Sequence, residues 1–156
     1  MLRTGLIAAV LLTGSAAFLV AGRTATAAGP DKVQHVCSAT DRQFIDVARA
    51  NLAAVRLWGN DYFHGSGSAA DVVSATKDAG IALGGTSPTD PSLATARRYF
   101  RSMFREYGRG VKAKERGAGA SEHMYRAYSL GEYAGRVLWN ARPQLRALGC
   151  DVSELL

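Results

Sequence analysis

Six cations recur at helical spacing in the middle of this chain: Arg98, Arg101, Arg105, Arg109, Lys112 and Arg116. Projected on a helix, they fall within about an 80° arc and extend over roughly 27 Å. Glu106 and Glu115 fall outside that arc. A guanidinium group can grip a phosphate or carboxylate through two parallel hydrogen bonds, so a row of arginines suits a polyanion. The competing expectation is a solvated face, partly neutralised by Asp71, Asp78 or Glu132 from adjoining helices.

A second cluster gathers aromatic and polar side chains at helix ends. Trp58, Tyr62 and His64 close one helical segment, Tyr107 lies late in another, and His123 and Tyr128 open a third. If the helices alternate in direction, these six residues share one pole, where a small apolar ligand would find aromatic walls and a few polar tips. An ordinary core end, with tyrosine hydroxyls reaching water, has the same composition. His64, His123, Asp61 and Glu122 have none of the spacings that metal sites use, so neither a metal nor a cofactor is expected. His35 simply flanks Cys37. No strand precedes Gly65-Ser66-Gly67-Ser68, which therefore cannot be a nucleophile elbow. No carboxylates pair on a common face, and neither cysteine belongs to a haem-attachment motif. The expectation is a protein without catalytic activity.

Four helices must position these groups. The first spans about Asp41 to Phe63, with Thr40 as N-cap and Gln43 completing a capping-box pattern. Phe44, Ile45, Ala48, Leu52, Val55, Trp58 and Tyr62 form its apolar arc. The second, about Ala69 to Leu83, has Ser68 as cap and a thin stripe of Val72, Ala75, Ala79 and Leu83. The third starts after Thr89-Asp90-Pro91 and reaches about Glu115, burying Leu93, Ala96, Phe100, Met103, Phe104, Tyr107 and Val111. The fourth runs from about Ser121 to Leu148, with Ala127, Gly131, Ala134, Leu138, Ala141 and Leu145 on one side. Pro143 is expected to kink it or break it near Ala141, and Gly149 to stop it. No strand pattern or internal repeat competes. The predicted fold class is all-α: an up-down-up-down four-helix bundle.

Two cysteines bracket that bundle. Cys37 precedes the first helix and Cys150 follows the last, and in such a bundle both ends share a pole. A Cys37–Cys150 disulfide is therefore expected, and a loop of that length would contribute on the order of 4–5 kcal/mol. The first 28 residues supply the oxidising context. Arg3 is followed by an apolar run from Gly5 to Val20 and by the small residues Ala25-Thr26-Ala27-Ala28, the order of a secretory signal. That run is shorter than the roughly 20 residues a spanning helix prefers, which favours cleavage over an uncleaved membrane anchor. The expected division is a signal peptide over residues 1–28 and a bundle over 29–156.

The formal net charge is +6. Two of the cations, Arg3 and Arg23, fall in the leader, so what remains is mildly basic. Arginine greatly outnumbers lysine, and alanine and glycine abound, a composition that resembles proteins of high-GC bacteria. These readings point to a secreted or wall-associated binding module of a bacterial envelope. Its expected partner is an anionic wall polymer or a lipid headgroup layer, with nucleic acid less favoured. The second expectation is a carrier or sensor of a small apolar ligand held between the helices.

Overall fold

The computed structural model describes residues 36–156; the segment read as a secretory signal lies outside them. Among the described residues the chain is all-helical, without strands. Helix α1 spans Ala39–Phe63, α2 Ala69–Gly84, α3 Pro91–Glu115 and α4 Ser121–Ala147, and a single 3-10 turn, Ser153–Leu155, follows.

Each helix begins and ends for a local chemical reason. Ser68 Oγ accepts the Asp71 N–H while the Asp71 carboxylate accepts the Ser68 N–H, a reciprocal capping box for α2. Asp90 caps α3 through the N–H groups of Ser92 and Leu93, with Pro91 in the first turn. Helix α1 departs from the sequence expectation. Its cap is Ser38, not Thr40, and Ser38 Oγ accepts the Asp41 N–H at 3.0 Å. Thr40 already lies inside the helix, so the pattern it makes with Gln43 has no capping role.

At its far end α4 closes in a Schellman turn. Gly149 takes φ 75°, Cys150 N–H donates to the Leu145 carbonyl and Gly149 N–H to that of Arg146. This turn aims Cys150 back toward the start of α1. Of the two outcomes expected at Pro143, a kink or a break near Ala141, the break does not occur: α4 continues to Ala147. The bond forfeited by proline is the one to the Trp139 carbonyl. Both residues sit on the exposed face, where water can satisfy that oxygen.

Helix α3 packs against α2 on one side and α4 on the other, and α1 lies chiefly against α2. The core joins all four, with Phe44 and Ala48 from α1, Leu83 from α2, Leu93, Phe100 and Phe104 from α3, and Leu138 and Leu145 from α4. The periodicity of α3 and α4 anticipated most of their buried positions. On α1 it was too generous: Trp58 remains 40% exposed, and Leu52 and Tyr62 are half-buried.

The Cys37–Cys150 disulfide is present, with Cα atoms 5.1 Å apart. Beside it, Val152 and Leu155 are buried in the core, and Glu154 pairs with Arg49 of α1 at 3.1 Å. The first and last parts of the described chain are thus joined at one end of the bundle.

Candidate functional site

The cationic row of α3 does not stand on an open convex face. Arg98, Arg101, Arg105, Arg109 and Lys112 form one wall of a groove of about 810 Å³ between α3 and α2. The other wall comes from Val73, Thr76, Lys77, Gly80, Ile81 and Gly84 of α2. Lys77 is a cation that sequence reasoning left out; its only signal was a position on the polar side of α2. Arg116 is not part of the lining and instead donates from Nε to the Lys112 carbonyl.

Small residues set the depth of this groove. A Cβ on Gly108 would come within 2.6 Å of Thr76 Oγ1, so the glycine permits the close approach of α2 and α3. The guanidinium of Arg101 lies along Gly84, where a Cβ would sit 3.5 Å from it. The result is an apolar and backbone floor beneath a line of positive charge, a setting in which an anion is attracted with less screening than on a flat surface.

The neutralising carboxylate is not one of those expected. Asp71 caps its own helix and Asp78 accepts from Ser74. Among the described residues Glu132 makes no ion pair. The partner is Glu106, on α3 itself, although its position falls outside the cationic arc. Its buried carboxylate accepts Arg109 Nη1 at 2.7 Å and meets His123 Nδ1 of α4 at 2.9 Å, with Arg105 Nε at 3.9 Å. The hydrogen bond from His123 lowers its pKa most, burial works against that, and Arg109 lowers it further. Glu106 therefore stays ionised and draws Arg109 partly aside. Arg98, Arg101, Lys112 and Lys77 make no ion pair among the described residues.

The six residues expected to form an aromatic ligand pole separate into two groups. Tyr107 and Tyr128 do line a groove of about 500 Å³, with Leu52, Val55 and Gly59 of α1, Met103 of α3, and Met124, Ala127 and Gly131 of α4. Trp58, Tyr62, His64 and His123 are not in it. Tyr62 donates to Glu115 at 2.7 Å, His64 Nδ1 folds onto the Asn60 carbonyl at 2.7 Å, and His123 is held by Glu106. Gly59 makes room for the Tyr107 ring, since a Cβ there would lie 2.5 Å from its hydroxyl. Burial pushes the Tyr107 phenol above its ordinary pKa. The small residues of α4 and the apolar faces that carry Leu52, Val55 and Met103 were legible in the sequence; Gly59, Met124 and the meeting of these faces around one groove were not.

Among the described residues no three of His, Cys, Asp and Glu gather as metal ligands. Nor is any described helix long and apolar enough to cross a membrane. No family model matches the chain, and neither a characterised protein nor a solved structure is significantly similar to it.

Proposed function

We propose that this protein is an extracytoplasmic binding module that holds a stretch of a linear anionic polymer in the groove between α2 and α3, without catalysing a reaction. The observation that carries this reading is the line of Arg98, Arg101 and Lys112 with Lys77 opposite, all facing one groove and all without a carboxylate partner among the described residues. Cations already paired would have to exchange one partner for another and gain little; these give up no ion pair, and Arg98 releases only the Thr95 hydroxyl, which it meets at 3.1 Å. The leader pattern and the disulfide both favour an oxidising location outside the cytoplasm. The fold we assign is an up-down-up-down bundle. Its support is that α1 and α3 meet start to start, through Asp41 and Thr89, and end to end, through Tyr62 and Glu115.

The test is charge reversal at Arg101 and Arg105 together, read as retention on immobilised poly(glycerol phosphate) across a salt gradient. Wild-type protein should elute late and lose affinity steeply with salt, and the double variant should elute early. Equal retention of the two proteins would sink the assignment.

A second reading rests on the groove around Tyr107. Its walls are mainly apolar, its volume suits a small molecule, and the Tyr107 hydroxyl makes no hydrogen bond to the described residues. On this reading the protein carries a small apolar ligand with one polar group for that hydroxyl. Native mass spectrometry of the protein from its own host would reveal the bound mass, and a bare chain would count against it.

A further inference from the structure

Helix α4 turns an unusual face to solvent. Tyr125, Tyr128, Arg136, Trp139, Pro143 and Arg146 recur on one side, opposite the buried Ala134, Leu138 and Leu145. Tyr125 is 72% exposed, Tyr128 68% and Trp139 61%, along roughly 21 Å of helix. Aromatic side chains in such numbers on a solvated stripe mark a surface that is covered in use.

We propose that this face docks in the plane of a lipid bilayer surface that contains anionic headgroups. Three observations select this occupant. First, indole and phenol rings with arginines beside them are the composition of the headgroup region, where an apolar ring and a polar tip are both accommodated. Second, arginines lie over two of the exposed rings of α4, Trp139 within the stripe and Tyr133 beside it. The Arg136 guanidinium is 4.5 Å from the Tyr133 centroid and that of Arg142 is 5.6 Å from Trp139, while Tyr99 stacks on Tyr133 at 5.7 Å. Those two ring faces are poor platforms for stacked sugars, whereas Tyr125 and Tyr128 carry no arginine over their rings among the described residues. Third, Pro143 leaves the Trp139 carbonyl without its helical partner, on the exposed side. Such an oxygen tolerates the hydrated headgroup layer but not the hydrocarbon below, so the helix lies shallow.

The charge balance of the face is modestly positive. Arg126 is taken by Glu122, and Arg142 and Arg146 act on the nearby Asp151. Glu132 is the carboxylate within the stripe, and among the described residues Arg136 has no carboxylate partner.

The experiment uses protein purified from its host, with Trp58→Phe so that Trp139 is the sole indole. Vesicles of phosphatidylcholine, with and without phosphatidylglycerol, are titrated in while emission is recorded. Trp139 should shift to shorter wavelength, be quenched by lipids brominated on the acyl chain, and bind the anionic vesicles roughly five- to tenfold more tightly. Trp139→Ala in the otherwise natural chain should weaken vesicle cosedimentation about tenfold, and Arg136→Glu should remove the preference for anionic lipid. Reversal at Arg101 and Arg105 should leave the Trp139 shift in place, which separates this surface from the α2–α3 groove. The proposal is overturned by unchanged emission with both vesicle types, or by undiminished binding of the Trp139→Ala protein. A shift that follows protein concentration in the absence of lipid would assign the face to self-association instead and would equally overturn it.

Discussion

Asp41 receives four hydrogen bonds in a buried position. Its Oδ1 accepts the N–H groups of Thr89 and Asp90, and its Oδ2 accepts the hydroxyls of Ser38 and Thr89, all between 2.7 and 3.0 Å. Burial alone would raise its pKa; the bonds from Asp90, Ser38 and Thr89 outweigh it and hold the carboxyl below its ordinary value. The unfolded chain lacks those bonds. Asp41 therefore contributes stability fully above the unfolded carboxyl pKa, and that contribution disappears as pH falls through the lowered folded value. Asp41→Asn should cost roughly 1–3 kcal/mol at neutral pH and flatten the acid limb of stability, as measured by urea melts over a pH series. Glu106 is the corresponding residue beside the groove. Glu106→Gln removes the charge that draws Arg109 aside, so poly(glycerol phosphate) should bind a few-fold more tightly even though the fold loses stability. Weaker binding by a folded Glu106→Gln protein would mean that Glu106 organises the cations and does not compete for them.

At the scale of elements, the contact between α2 and α3 decides the shape of the proposed site. Thr76 is buried and donates its hydroxyl to the Val73 carbonyl at 2.9 Å, so it cannot easily move away from an incoming methyl group. Alanine at position 108 would gain about 1 kcal/mol of helix propensity, against an overpacking cost of about 1–3 kcal/mol. Gly108→Ala should therefore destabilise the protein overall. Adding Thr76→Ala removes the clashing hydroxyl, and a double-mutant cycle should recover a substantial part of the loss. Additive effects of the two substitutions would show that the helices approach less closely than described. The groove depends on this spacing, so Gly108→Ala should also alter polymer retention while leaving every cation in place.

At the scale of the molecule, one covalent bond and one short segment fasten the two ends of the bundle. The disulfide closes 113 residues of sequence separation, and Val152 and Leu155 bury beside it. Replacing Cys37 and Cys150 together with serine should lower stability by on the order of 4–5 kcal/mol, read as the urea midpoint. Hydrogen exchange should accelerate first at the start of α1 and in residues 150–156, the parts tied by that bond. Retention on the anionic polymer should survive as long as the variant is folded, because the α2–α3 groove draws no residue from either tied end. Loss of retention in a folded variant would reveal coupling between the disulfide end and the groove.

The sequence by itself determined the helices, most of their stops and the cationic row, because each of these is local. Helical periodicity puts Arg98 to Lys112 on one arc whatever surrounds them, Gly149 ends α4 through its own backbone, and two cysteines flanking four helices leave one pairing to try. Tertiary structure alone decided what those faces meet. Glu106 looked remote from the cations on a helical projection, yet a side chain three residues away reaches Arg109, and packing of α4 brings His123 to its other oxygen. Ser38 displaced Thr40 as the cap because Asp41 is also held by the start of α3, a contact 48 residues away in sequence. The aromatic pole separated for the same reason: rotation of α1 about its own axis keeps Gly59 and Leu52 on the groove and sends Trp58 outside it. A helix's composition specifies which residues share a face, but which neighbour that face meets is set by how four helices fill one core without voids.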